Sequence, residues 1–191
     1  PPLLRSWGET AAAIRVGSGN PLSPTVAVET NGTTDTGWAT PLTTTVEYEL
    51  SAFGGTGLAC NGETPATPIT GTMVVIKRGT CPLVDKLNNA AHFGAAGVLM
   101  YSDARPKIRL PNSCGPCPKM HVAMIDQGPG EQIVQAIAAQ AAAHPDMPLV
   151  ATLTPKPLGV DAFAIDRRGR MREFGSIPFG FNADLGDDAV N

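Results

Sequence analysis

The sequence predicts an α/β chain rich in strand, with two main helices, and three observations carry that expectation. Residues 72–76 form a short apolar run with β-branched side chains, followed by an amphipathic stretch and then a second apolar run at 97–101. The strand-then-helix order returns at 121–125 and 131–143. Composition agrees: 21 Gly and 18 Pro in 191 residues demand many turns, and only 16% of residues are charged, against roughly 25% in an average domain. That balance excludes a coiled coil or a helical bundle. The length suits one ordinary domain with extensions and is ample for an apolar core.

Residues 1–43 are rich in Thr, Gly and Pro, with short alternations at Ala13-Ile14-Arg15-Val16 and Thr25-Val26-Ala27-Val28 that predict strands. Thr44-Thr45-Val46-Glu47-Tyr48-Glu49-Leu50 alternates more cleanly and predicts a half-exposed strand; residues 54–68 predict a loop. The run at 72–76 predicts a buried strand ending at Lys77-Arg78-Gly79. A helix is expected next, with Pro82 near its first position and Asp85 in its first turn, where negative charge meets the positive end of the dipole. Leu83, Val84, Leu87, Ala90 and Ala91 share one face, and Gly94 or Gly97 ends the helix. A second buried strand at 97–101 then lies parallel to the first through a right-handed crossover. Residues 121–125 predict a strand, Gly128-Pro129-Gly130 a turn, and 131–143 a helix with Ile133, Val134, Ile137 and Ala141 on one face. His144-Pro145 closes that helix. Residues 149–154 and 160–165 predict further strands. The expected division is an N-terminal β-rich extension at 1–43, a central domain at 44–158 and a C-terminal extension or linker at 159–191, together one compact unit.

Charge and hydropathy exclude whole classes of function. The net charge is −3, and nucleic-acid binding needs a basic face to displace counterions, so no nucleic-acid partner is expected. No apolar run approaches the roughly 18 residues that span a bilayer, so membrane insertion is not expected. The opening Pro1-Pro2-Leu3-Leu4-Arg5 lacks the basic head and continuous apolar stretch of a signal peptide. The expectation is a processed chain or part of a longer one.

Residues 71–102 are more specific. Gly71-Thr72-Met73-Val74-Val75-Ile76-Lys77-Arg78-Gly79-Thr80-Cys81 leads into a helix carrying Lys86, an Ala90-Ala91 pair, Gly94-Ala95 and the apolar strand to Tyr101. In order and spacing this resembles the protease-associated (PA) domain family, and residues 120–137 resemble that family's later strand, glycine turn and second helix. The resemblance spans roughly 44–155; it departs at Pro82-Leu83, where many members have a polar residue then Phe, and in the extensions at both ends. It implies a β-sandwich or open-barrel α/β fold with two main flanking helices and no catalytic residues or cofactor of its own. It further implies a domain of a secreted or luminal protein that binds a peptide or protein partner, or gates a peptidase domain. Fold resemblance alone licenses a site only weakly.

Four cysteines, Cys60, Cys81, Cys114 and Cys117, allow three pairings. A Cys60–Cys81 bridge would tie the loop before the first buried strand to the helix start and stabilise the fold by roughly 3 kcal/mol. The resemblance likewise favours Cys81 paired upstream. Cys114-Gly115-Pro116-Cys117 has the letters of the thioredoxin redox motif, so a thiol–disulfide oxidoreductase is the rival from the enzyme class. That chemistry needs the first thiol at a helix N-terminus, whereas Pro118 and a strand follow here, which favours a loop-closing disulfide. A purely structural spacer is the third reading.

Other motifs carry little. Asp35-Thr36-Gly37 matches the aspartic-protease tripeptide but has no second copy. Asn31-Gly32-Thr33 is a glycosylation sequon. His92, His121 and His144 show no metal spacing, Gly17-Ser18-Gly19 predicts a turn, and Asp184, Asp187 and Asp188 lack a calcium-loop pattern. Arg167, Arg168, Arg170 and Arg172 form a basic cluster in the tail. The segment singled out for binding is Arg78-Gly79-Thr80, at the carboxyl end of one strand and the start of a helix, where ligands gather in open α/β sheets.

Overall fold

The computed structural model describes residues 9–17, 26–29, 33–34, 38–105, 114–156, 160–165 and 171–177. Asn31, Asp35, Gly37, Ser18, the arginines at 167, 168 and 170 and the acidic tail positions lie outside them. In chain order the elements are β1 (Glu9–Gly17), β2 (Val26–Glu29), β3 (Thr33–Thr34), β4 (Val46–Ala52), β5 (Met73–Lys77), α1 (Leu83–His92), β6 (Gly97–Tyr101), β7 (His121–Ile125), α2 (Gln127–Ala143), β8 (Val150–Lys156), β9 (Val160–Ile165) and β10 (Met171–Ile177).

Two compact units divide the chain. One spans residues 8–156; the other contains β9 and β10, an antiparallel hairpin with a register shift between Glu173 and Ser176. In the larger unit β2-β1-β8-β4-β5-β6-β7 follow one another in a single mixed sheet, with β3 paired to β1. β4, β5, β6 and β7 run parallel, while β8 joins β4 antiparallel to β1. The sheet is curled into a half-barrel. β3, hydrogen-bonded to β1 toward one end of the strand order, lies against β7 at the other.

The parallel strands are apolar at nearly every position because both of their faces are covered. Val74, Ile76, Val98, Met100, Val122 and Met124 point to the face holding Leu87 and Ala90 of α1. Met73, Val75, Leu99, Tyr101, Ala123 and Ile125 point to the other, with Ile133 of α2 and Ile14, Val16 and Leu153 of the flanking strands. The two-residue strand period thus sorts one continuous run into two cores.

Helix α1 ends as its sequence suggests. Gly94 takes φ +83°, its amide donates to Ala91 at 2.9 Å and the Ala95 amide to Ala90 at 3.1 Å, closing the last turn with a left-handed glycine. Helix α2 corrects the expected turn at Gly128-Pro129-Gly130: those residues form its first turn, which begins at Gln127. Proline is tolerated there because first-turn amides have no intrahelical acceptor. Gly130 is buried with the Tyr101 ring directly against it, in space a Cβ would occupy. The glycine serves close packing of helix on strand rather than chain reversal.

Candidate functional site

Three loops meet at the carboxyl ends of β4, β5 and β6, around an open depression of about 310 Å³. The loop after β4 supplies Thr56 and Leu58, the end of β5 supplies Lys77 and Arg78-Gly79-Thr80, and the segment after β6 supplies Asp103 and Arg105. Backbone hydrogen bonds lash the loops to the sheet. The Lys77 amide donates to Gly57 at 2.6 Å, the Arg78 amide to Tyr101 at 2.8 Å and the Ser102 amide to Ile125 at 3.0 Å.

Helix α1 braces the β4 loop from below. Lys86, fully buried, donates from Nζ to the Leu58 carbonyl, and Asn89 donates from Nδ2 to the carbonyls of Cys60 and Glu63, both at 2.9 Å. Burial pulls the Lys86 ammonium down to about 8, opposed by the nearby Glu63 carboxylate. Glu63 accepts from Thr56 Oγ1 and from the Cys60 amide, and the Thr56 bond holds its carboxyl below the ordinary glutamate value. Cys60 and Cys81 are paired as a disulfide with Cα atoms 5.8 Å apart, joining this loop to the start of α1.

The Arg78-Gly79-Thr80 segment is conformationally unusual. Gly79 has φ +121° and Thr80 φ +59°, and a β-branched residue at positive φ is a strained outlier. The Cys81 amide donates back to the Gly79 carbonyl at 2.8 Å, so Thr80 is the centre of a three-residue γ-turn. A Cβ on Gly79 would lie 3.3 Å from Asp103 Oδ2, so the backbone passes close over the Asp103–Arg105 pair. Arg105 grips that carboxylate from Nε at 2.9 and 3.0 Å, and its amide also donates to Oδ1 at 3.1 Å. Hydrogen bonding by Arg105 holds the Asp103 carboxyl far below the usual carboxylate range, so it is ionised at any ordinary pH.

The structure therefore brings Arg78, Gly79 and Thr80 to one depression with residues that sequence reasoning missed: Thr56, Leu58, Lys77, Asp103 and Arg105. Asp103 and Arg105 had a usable signal, since they follow the carboxyl end of the second parallel strand as Arg78 follows the first. Thr56 and Leu58 had none. They sit in a glycine-rich loop whose position over β5 is set by long-range bonds such as Lys77 N–H to Gly57 and Lys86 Nζ to Leu58.

The remaining candidates lie elsewhere. Cys114 and Cys117 are paired with Cα atoms 5.5 Å apart and pack on the core cluster beneath α1. The element that follows is β7, so Cys114 does not stand at a helix N-terminus, the position that activates a redox thiol. His92 packs edge-on to Phe93, with ring centroids 5.0 Å apart, and the His144 amide caps α2 on Gln140 at 2.7 Å. His121 Nδ1 lies 2.6 Å from the Tyr48 hydroxyl, tying β7 to β4 across the curled sheet, and burial lowers its pKa against a bond to the Pro41 carbonyl. Among the described residues no three His, Cys, Asp or Glu gather as a metal group, and no helix is long and apolar enough to cross a membrane.

No curated protein matches the chain. Among solved structures it is similar to an aminopeptidase from Aneurinibacillus sp. strain AM-1, at 20% identity and TM-score 0.50, over 75% of this chain and 30% of that one. It also matches a zinc aminopeptidase from Bacillus subtilis, at 18% identity and TM-score 0.49, over 78% of this chain and 31% of that one. The chain thus spans about 30% of the length of the aminopeptidase from Aneurinibacillus, and the likeness at this identity concerns the fold. The family model of the PA domain matches residues 43–133, the stretch that holds β4 through β7, α1 and all three loops of the depression. Residues 43–133 of this chain are a PA domain.

Proposed function

We propose that this chain is a non-catalytic module of a secreted or luminal protein, and that it binds a peptide or protein segment in the depression above β4, β5 and β6. It would thereby present substrate to a peptidase domain or restrict access to it. The observation that carries the reading is the strained Gly79-Thr80 turn, set into a depression at the carboxyl ends of parallel strands. Backbone strain of this kind costs roughly 1–3 kcal/mol and persists where surrounding structure over-determines it, often at ligand clamps. Two paired disulfides favour an oxidising compartment. Similarity in fold to PA-containing aminopeptidases supports a peptidase as the neighbour.

The test compares the full-length natural protein with a Gly79→Val variant on a dipeptide and on an unfolded protein substrate. A KM raised for the protein substrate, with dipeptide turnover unchanged, supports presentation or gating. Equal kinetics on both substrates sinks it. Peptide cleavage by purified residues 1–191 alone, abolished by one point replacement, sinks the non-catalytic reading.

A further inference from the structure

Among the described residues, the charges lining the depression do not cancel. Lys77 and Arg105 bring positive charge to its lining beside the already partnered Arg78, and Asp103 brings one negative. Asp103 is already engaged by the Arg105 guanidinium and also feels Arg78. Behind the wall, Glu63 faces Lys86, so that pair adds no net charge. The described lining is therefore cationic in a chain whose total charge is −3, which makes the surplus local rather than general.

Backbone donors add to it. Among the described residues, neither the Gly79 nor the Thr80 amide donates to a protein acceptor. The γ-turn explains this, because the Gly79 carbonyl is folded back onto the Cys81 amide and the two preceding amides are left without a strand or helix partner. Successive turn amides beside cationic side chains are the ingredients of an anion receptor. The volume, about 310 Å³, admits a short side chain or a chain end and not a folded surface.

We infer, resting on the peptide-binding reading above, that this site selects its peptide through a carboxylate: an Asp or Glu side chain, or a free C-terminus. The Gly79 and Thr80 amides receive the oxygens, and Lys77 supplies the field that favours them. The Asp103–Arg105 pair repels a ligand carboxylate only weakly because its negative charge is shared with a guanidinium.

The test is titration of the ¹⁵N-labelled chain near neutral pH with short peptides of about six residues. One carries two Glu with both ends blocked, one is neutral with a free C-terminus, one is neutral and fully blocked, and one carries two Lys and is fully blocked. The expected result is movement of the Gly79 and Thr80 amide resonances with the first or second peptide and not with the other two. Which of the first two acts identifies side chain or terminus. Lys77→Gln, with core resonances unchanged as the check on folding, weakens that response about two- to five-fold, the scale of one exposed charge pair. Salt near 0.5 M weakens it further. Equal responses to the blocked neutral or Lys peptides overturn the carboxylate inference and leave peptide binding standing. No response to any peptide overturns both. An unchanged affinity in Lys77→Gln overturns the role of charge.

Discussion

At the residue scale the unusual positions are those where local preference and tertiary demand disagree. Gly79 is favoured by its φ of +121°, and a Cβ there would also come within 3.3 Å of Asp103 Oδ2, which would have to shift slightly. Gly79→Ala is expected to lower stability by about 1–3 kcal/mol, the usual cost of forcing a side chain into such backbone. Urea unfolding that showed no loss would mean the turn relaxes freely. Lys86 presents a different conflict, a fully buried ammonium that donates to one backbone carbonyl, that of Leu58. Its folded pKa of about 8 lies below the ordinary 10.5. The unfolded chain therefore holds more protons between those values, and the linkage term favours folding increasingly as pH rises through that window. Relative to Lys86→Met, the wild-type chain should gain stability between pH 8 and about 10.5. Parallel unfolding curves for the two proteins across that range would contradict the burial account.

At the scale of elements, helix α2 shows how packing overrides propensity. Alanine is the better helix former by roughly 1 kcal/mol, and both Gly128 and Gly130 sit in its first turn. Nothing lies within 4 Å of a Cβ at Gly128, whereas one at Gly130 would run into the Tyr101 ring. Gly128→Ala is therefore expected to be neutral or stabilising by up to about 1 kcal/mol, while Gly130→Ala destabilises by about 1–3 kcal/mol through overpacking. Thermal unfolding of the two variants checks the contrast; equal shifts would show that α2 can slide on the sheet. The expectation of a turn at these three residues failed for the same reason. Gly-Pro-Gly is a turn signal when judged locally, and only the Tyr101 contact reveals why glycine is needed inside a helix.

For the molecule as a whole, the family match begins at residue 43 but the sheet does not. β1 lies between β2 and β8, with Ile14 and Val16 fully buried in the core. A fragment of residues 43–156 would expose the β8 edge and lose both side chains, each worth roughly 1.5–3 kcal/mol when buried. That fragment is expected to aggregate or to unfold well below residues 8–156, as measured by light scattering and circular dichroism. A fragment of equal stability would show that the N-terminal strands are appended rather than integral.

The strand–helix–strand order at 71–101, the polarity of both helices and the strand end at Lys77 were legible because each depends on contacts between near neighbours in sequence: a two-residue period, a helical face, a cap. The alternations at 13–16 and 25–28 revealed strands but not their partners, since a strand's edge carries the same hydrogen-bonding groups whichever strand it meets. Where those strands pair, why Gly130 is a glycine, and which residues from the β4 and β6 loops join Arg78 were decided by tertiary structure. Those features arise from residues tens of positions apart meeting across a curled sheet, and short-range pattern carries no record of such distances.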